Sequence, residues 1–218
     1  MFPGYRKCNE HRVQGLLVII AGANRPLGHP APRGVSVFIA VGFFRDGVMA
    51  ERIYGTHHIG ITVPDIEQGI AFFEAVFGAV TVFRTGPFNV DEAFMQRKLG
   101  AAPHTRIRDL VFLRCGDGPS VELFEYSGED STARPKRVSE VGGTHLCFEV
   151  DDVFASAERL RAKGIEFLEG PNTIEEGPLA GFNWIYLNTP WGQSLEIASF
   201  SSLGYEKNTP QRLWRAKS

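Results

Sequence analysis

The sequence predicts an α+β domain built from two βαβββ modules that form a curved mixed sheet around a cavity. One pattern occurs twice, 87 residues apart: HIGITVPDIEQGIAFFE from His58 and HLCFEVDDVFASAERLR from His145. Each copy opens with alternating apolar residues, which are typical of a strand with one buried face, and continues at a helical spacing. A single four-stranded sheet with one helix leaves an open face, so two modules are expected to enclose a cavity together.

Composition and charge limit the classes of protein to which the chain can belong. Of 218 residues, 43% are hydrophobic and 22% are charged, which is ordinary for a soluble globular chain. A net charge of −2 disfavours a nucleic-acid partner, and no apolar run is long enough to cross a membrane. Cys8, Cys115 and Cys147 show no CxxC spacing, which favours a reducing, cytoplasmic location. Cys147 alternates with apolar neighbours and is interpreted as a buried thiol.

The first 48 residues differ from the rest. They carry six Lys and Arg but two acidic residues, whereas residues 49–218 carry 17 and 23. Three interpretations are open: a targeting peptide, a structured extension, or translation upstream of a true start at Met49. The change in composition at Met49 favours the last, so the segment is expected to be disordered or a mis-assigned start. The domain is then expected over residues 54–200, with modules at 54–127 and 141–200 and a tail at 201–218.

The elements of each module follow from local signals. Asp65 and Asp152 are good helix-start residues after the first strands, and Gly78 and Gly164 are suited to end the helices. Three further strands are expected in each copy, separated by turn-rich segments. In the first copy they are AVTVFR, TRIRDLVFLRC and SVELFEY, and in the second they are IEFLEG, FNWIYLN and QSLEIASF.

Four polar residues occupy matching positions in the two copies. His58 and His145 open the first strands, and Glu122 and Glu196 lie between apolar neighbours in the last strands. A charged glutamate buried without a partner is costly. Two histidines and two carboxylates suit one divalent metal ion, such as Zn, Ni, Co, Mn or Fe. Taken singly, each residue could instead be a solvated glutamate or a hydrogen-bonded core histidine. His57 has the opposite strand parity and is interpreted as structural.

Four segments of the chain resemble the vicinal oxygen chelate superfamily. They are HHIGITVPDIEQGIAFFEAVFGA, SVELFEY, THLCFEVDDV and TPWGQSLEI. This superfamily includes glyoxalase I, methylmalonyl-CoA epimerase, extradiol dioxygenases and bleomycin-resistance proteins, and the ligand pattern here is closest to the first two. The resemblance implies a metal-containing cavity whose ligands come from the first and last strands of each module: His58, Glu122, His145 and Glu196. It also implies a small-molecule substrate and a homodimer.

The resemblance leaves the reaction open. Four protein ligands favour an isomerase, epimerase or lyase that moves a proton next to a carbonyl, with an enolate or enediolate held on the metal. Glu122 or Glu196 then acts as the base, and Glu122 is favoured because the other three ligands can hold the ion. One alternative is an iron(II) extradiol dioxygenase that uses His58, His145 and Glu196. Another is a non-catalytic small-molecule binding protein, which the retained ligands disfavour.

Candidate substrate-binding residues lie near these positions. Residues 86–105 form a long insertion in the first module and are expected to act as a lid or pocket wall. Arg106 and Arg108 could hold a carboxylate or phosphate, and Trp184 and Tyr186 could line the cavity. Solvated arginines and core aromatics are the alternatives. Three residues of the insertion are possible proton-transfer groups or, alternatively, solvated charges: Asp91, Glu92 and His104.

Overall fold

The computed structural model describes residues 53–128 and 134–215, and the predictions for residues 1–48 lie outside them. Gly55–Ser218 form a compact unit. Within the described residues, none of the helices is long and apolar enough to cross a membrane.

The first module has the expected order with one added helix. Its elements are β1 (His58–Val63), α1 (Ile66–Phe77), β2 (Val80–Thr85), α2 (Glu92–Leu99), β3 (Arg106–Arg114) and β4 (Ser120–Ser127). The sheet order is β1-β4-β3-β2, with β1 parallel to β4 and the other neighbours antiparallel. Because the first and last strands are neighbours, Gly60 lies opposite Glu122.

The second module repeats this topology. Its elements are β5 (Leu146–Glu149), α3 (Val153–Arg161), β6 (Asn172–Thr173), β7 (Asn183–Asn188) and β8 (Ser194–Ser199), followed by a 3₁₀ helix at Gly204–Lys207. The order β5-β8-β7-β6 matches the first sheet, with β5 parallel to β8. The predicted α+β class with two βαβββ modules is confirmed. In the described residues the two sheets are not hydrogen-bonded to each other.

The second strand of this module differs from its prediction. The expected strand IEFLEG, residues 165–170, contributes an isolated bridge between Phe167 and Leu187 instead of a ladder. Ile165 and Phe167 pack against the core, but the segment has too few apolar residues to continue the alternation of a longer strand. The regular strand β6 begins after Pro171, which lacks the N–H that a ladder needs.

Capping residues set the helix boundaries largely as expected. The Asp65 carboxylate accepts a hydrogen bond from the backbone N–H of Gln68 at 2.8 Å. Asp152 accepts one from Phe154 at 2.8 Å. Each cap contributes about 1 kcal/mol to helix stability. Gly78 ends α1 with φ 62°, a left-handed conformation that glycine adopts without strain. Helix α3 ends earlier than expected, at Arg161, and Gly164 follows in a turn.

The two modules share one hydrophobic core. It contains buried side chains from α1, from α3 and from one face of each sheet. Phe77 of α1 stacks on Phe148 of β5 with ring centroids 3.9 Å apart. In β1, Ile59 and Ile61 face this core, so His58 lies on the opposite face of its sheet. The histidine-bearing faces of both sheets therefore point away from the shared core.

A second, smaller core covers the histidine-bearing face of the first module. Met95 of α2 is fully buried there with Ile107 and Leu110. Partly buried side chains pack around them: Phe88, Val90, Ala101, Phe112, Phe124 and Tyr126. The insertion at residues 86–105 thus packs on the sheet face that carries His58 and Glu122.

Candidate metal centre

The first histidine and glutamate form a close pair. Nε2 of His58 lies 3.2 Å from a carboxylate oxygen of Glu122, with 41% of the histidine side chain and 13% of the glutamate side chain exposed. The pair forms because β1 runs parallel to β4, so that the beginning of β1 lies beside the strand that carries the glutamate. The ring of Phe112 packs edge-on against His58 at 5.4 Å and closes the apolar side of the pair.

His57 contacts this pair and does not face away from it. Its Nδ1 lies 2.8 Å from Nδ1 of His58, and the two rings meet edge-on at 5.1 Å. The predicted orientation of His57 away from His58 is therefore wrong. Strict alternation applies to residues inside a strand, and β1 begins only at His58, so the ring of His57 need not point to the face opposite His58, although the His57 carbonyl accepts a hydrogen bond from the backbone N–H of Ser120.

The second histidine and glutamate repeat the arrangement in the other module. Nε2 of His145 lies 3.0 Å from a carboxylate oxygen of Glu196, whose side chain is 8% exposed. Tyr186, opposite Glu196 on β7, packs edge-on against His145, and its hydroxyl lies 3.4 Å from the same Nε2. Tyr186 therefore occupies the place that Phe112 has in the first module, and it adds a polar group there.

Cys147 also belongs to the second pair. It lies opposite Glu196 in the β5–β8 ladder. Partial removal of water from the Cys147 thiol, followed by the charges of Glu196 and Glu149, raises the pKa of this group to about 12, even though the residue as a whole keeps an exposed surface. Burial also raises the pKa of Glu196, an effect opposed by His145. Cys147 is exposed on this face and not a core thiol as expected, although it shares strand parity with His145.

The spacing within each pair fits coordination of one ion. Donors bound at about 2.1 Å and at right angles to each other lie about 3.0 Å apart. The separations of 3.2 and 3.0 Å match this value. Each pair thus offers an imidazole nitrogen and a carboxylate oxygen as neighbouring ligands. Among the described residues, no three of the His, Cys, Asp and Glu side chains converge on one ion, so the four predicted ligands form two pairs.

The predicted substrate-binding aromatics lie beside the second pair. Trp184 and Tyr186 occupy alternate positions on β7 and meet edge-on at 5.5 Å. Both lie on the face that carries Glu196, because Tyr186 is opposite Glu196 in the sheet. The intervening Ile185 is fully buried in the shared core.

The two predicted arginines have partners within the first module. Arg106 donates to the backbone carbonyl of Thr105 at 2.9 Å. Arg108 lies 3.5 Å from Glu125, which also accepts a hydrogen bond from the backbone N–H of Ile66 at the start of α1. The Arg108 side chain is 64% exposed. These contacts leave the arginines close to β3 and β4, where an anion would have to compete with Glu125 for Arg108.

The acidic residues of the insertion take structural positions. Asp91 caps α2 by accepting a hydrogen bond from the backbone N–H of Phe94 at 2.6 Å. Glu92 accepts from the backbone of His104 at 3.3 Å and lies 3.4 Å from its imidazole. These contacts close the insertion on itself.

A cavity of about 760 Å³ lies on the other side of the sheets, between the two modules. Its walls are mainly apolar and include Phe77, Phe148, Phe200 and Trp214. None of the eight predicted ligand and substrate-binding residues lines it. The cavity therefore contains none of the four predicted ligands, although Cys147, which lies opposite Glu196, is among its lining residues.

Known proteins share this sequence pattern and fold. Residues 57–182 match the glyoxalase/bleomycin resistance protein/dioxygenase superfamily. The 2-epi-5-epi-valiolone epimerase of Actinomyces sp is 39% identical over 164 residues, which cover 73% of this chain and 87% of that protein. Human mitochondrial methylmalonyl-CoA epimerase is 31% identical over 114 residues, 51% of this chain and 55% of that protein.

A solved structure gives the same result for the fold. The crystal structure of a glyoxalase family protein from Bacillus cereus is 18% identical, with a TM-score of 0.54 over 71% of this chain and 100% of that one. The repeated modules, the paired first and last strands and these matches agree: the chain belongs to the glyoxalase/bleomycin resistance protein/dioxygenase superfamily.

Proposed function

We propose that the protein is a divalent-metal-dependent epimerase that moves a proton next to a carbonyl group. The observation that carries the proposal is the occurrence of a histidine–glutamate pair at the same place in both modules, at separations of 3.2 and 3.0 Å. The two relatives above are both epimerases, and the more similar one is named for 2-epi-5-epi-valiolone. A related ketone is therefore the first substrate to test.

The four ligands would come from two chains. His58 and Glu122 lie on a face directed away from the shared core, and so do His145 and Glu196. Within the described residues, β1 has only β4 as a neighbour and β5 has only β8, which leaves an unpaired edge beside each pair. In a twofold dimer, an edge contact between β1 of one copy and β5 of the other occurs twice. Each contact would join one pair of each kind into a four-ligand site.

The two glutamates would carry the proton transfer. When bound, the ion supplies Lewis-acid stabilisation of negative charge on the substrate carbonyl oxygen. One glutamate, ionised at the start, would take the proton from the neighbouring carbon, and the electron pair of the C–H bond would move toward that oxygen. The second glutamate, protonated at the start, would give its proton to the opposite side of the carbon and become ionised, which inverts the configuration of the carbon. Tyr186 and Trp184 on one side and the apolar wall around Met95 on the other would orient the substrate and exclude water.

Complementation between two inactive variants tests this proposal. His58→Ala and His145→Ala are purified, assayed alone with 2-epi-5-epi-valiolone and methylmalonyl-CoA, and then co-expressed. Each variant alone is expected to be inactive. In a random mixture half of the dimers carry one chain of each kind, and one of their two sites is intact, so about one quarter of wild-type activity is expected to return.

Three results would contradict the proposal. Sites formed within single chains would give no recovery in the mixture. Wild-type protein that binds no divalent metal and epimerises neither compound would reject the epimerase. Purification with iron and rapid oxygen uptake with a catechol would instead favour the dioxygenase. Cys8→Ser serves as a control, because it lies outside both modules and is expected to leave activity unchanged.

A further inference from the structure

Both ring nitrogens of His58 are engaged, each by a different side chain. Nε2 faces Glu122 at 3.2 Å, and Nδ1 faces Nδ1 of His57 at 2.8 Å. The edge-on contact with Phe112 at 5.4 Å restrains the same ring from a third direction. These contacts determine both the position of the imidazole and which nitrogen points toward the carboxylate.

The contact between the two Nδ1 atoms requires that one of them carries a proton and the other does not. A hydrogen bond between two imidazole nitrogens needs one proton, which is donated by one ring and accepted by the other. If His58 offers the lone pair of Nε2 to a metal ion, its own proton resides on Nδ1. The Nδ1 atom of His57 is then the acceptor. A ligand histidine usually needs such an acceptor, because the hydrogen bond fixes its tautomer and orientation.

The second module shows that this contact is particular to the first. In the described part of the chain, the polar contacts of His145 with Glu196 and Tyr186 both involve Nε2. Thr144 precedes His145 in the position that His57 has before His58. The repeat therefore supplies the ligand histidine twice but a neighbouring imidazole once.

We propose that His57 is a positioning residue that accepts the Nδ1 proton of His58 and directs Nε2 of that ring toward the metal. This inference rests on the proposed metal site, and it concerns a residue outside the four ligands. Loss of such a supporting hydrogen bond typically weakens metal binding by about 10–100-fold. The effect should be seen in metal affinity and ligand geometry, before any substrate is added.

The experiment is a titration of metal-free protein with Co²⁺, followed by visible absorption and by calorimetry. His57→Ala is expected to bind Co²⁺ about 10–100-fold more weakly than wild type and to show a shifted ligand-field spectrum. His57→Asn places an oxygen near the former Nδ1 and is expected to recover most of the affinity. His104→Ala removes another exposed histidine and is expected to match wild type. Because His57 is exposed, the thermal midpoint of metal-free His57→Ala should also match wild type.

The same titrations distinguish two outcomes: that the metal site does not exist, and that the metal site exists but His57 does not support it. If wild type shows no Co²⁺ spectrum, or if His145→Ala binds as tightly as wild type, the metal site is rejected. If wild type binds and His145→Ala does not, but His57→Ala keeps full affinity and an unchanged spectrum, only the role of His57 is overturned. The role is also overturned if His57→Asn is as weak as His57→Ala, since the hydrogen bond is then not the cause.

Discussion

The two histidine–glutamate pairs have the same geometry but different surroundings. The pair in the first module lies beside Phe112 and the apolar wall of α2, and a second histidine contacts its imidazole. The pair in the second module has a tyrosine in place of that phenylalanine, and Cys147 in place of Gly60. Its glutamate is also the more buried of the two, with 8% of the side chain exposed against 13% for Glu122.

In the proposed site, this difference would divide the roles between the two modules. Apolar walls exclude water and hold a substrate body, whereas hydroxyl and thiol groups offer hydrogen bonds that fix its orientation. In that site the first module would contribute a well-oriented ligand and an apolar wall that excludes water. The second would contribute polar contacts and Glu196, a carboxylate whose pKa is raised by burial. Neither half alone carries every group that the proposed reaction needs.

The largest effect on the reaction rate is expected when either of the two glutamates is replaced by glutamine. Glu122→Gln and Glu196→Gln should each lower kcat by about 10²–10⁴-fold, because each removes one proton-transfer group. Each variant should still exchange the substrate proton with D₂O, but only for the epimer that the remaining glutamate can reach. Mass spectrometry of substrate recovered from D₂O measures this. Exchange of both epimers by one variant would show that a single base serves both faces.

A smaller effect is expected from the wall that only the first module has. Met95→Ala removes a fully buried side chain and should lower the free energy of unfolding by about 2–5 kcal/mol. Leu99→Ala is the matched control on the same helix, since Leu99 is 45% exposed, and its cost should be below about 1 kcal/mol. Urea denaturation of both metal-free variants measures the difference. Equal losses would mean that α2 does not depend on this core.

The smallest effect is expected from the tyrosine that distinguishes the second pair. Tyr186→Phe makes this pair resemble the first, and it should raise KM about tenfold through loss of one hydrogen bond to substrate, with metal affinity retained. Phe112→Tyr is the reciprocal change and should not lower KM. Steady-state kinetics together with Co²⁺ titration separate the two effects. A tenfold loss of Co²⁺ affinity in Tyr186→Phe would assign the hydroxyl to the metal site instead.

Much of the fold was predictable because its signals are local. Strand alternation, the caps at Asp65 and Asp152 and the helical end at Gly78 each depend on a few neighbouring residues. The repeat predicted that His58, Glu122, His145 and Glu196 face one cavity, whereas in the described residues they meet two by two, because the first and last strands of each module are neighbours. The short β6 was less predictable, because few apolar residues mark it.

The sequence by itself determined the two βαβββ modules, the superfamily resemblance and the histidine and glutamate of each pair. Only the tertiary structure decided which sheet faces meet. Both faces of the first sheet carry large apolar side chains, so strand parity cannot tell the shared core from the wall beneath α2. It also decided the position of His57, which lies just before β1 and escapes the alternation rule. These outcomes depend on packing between segments that are distant in the chain, and no local pattern encodes that packing.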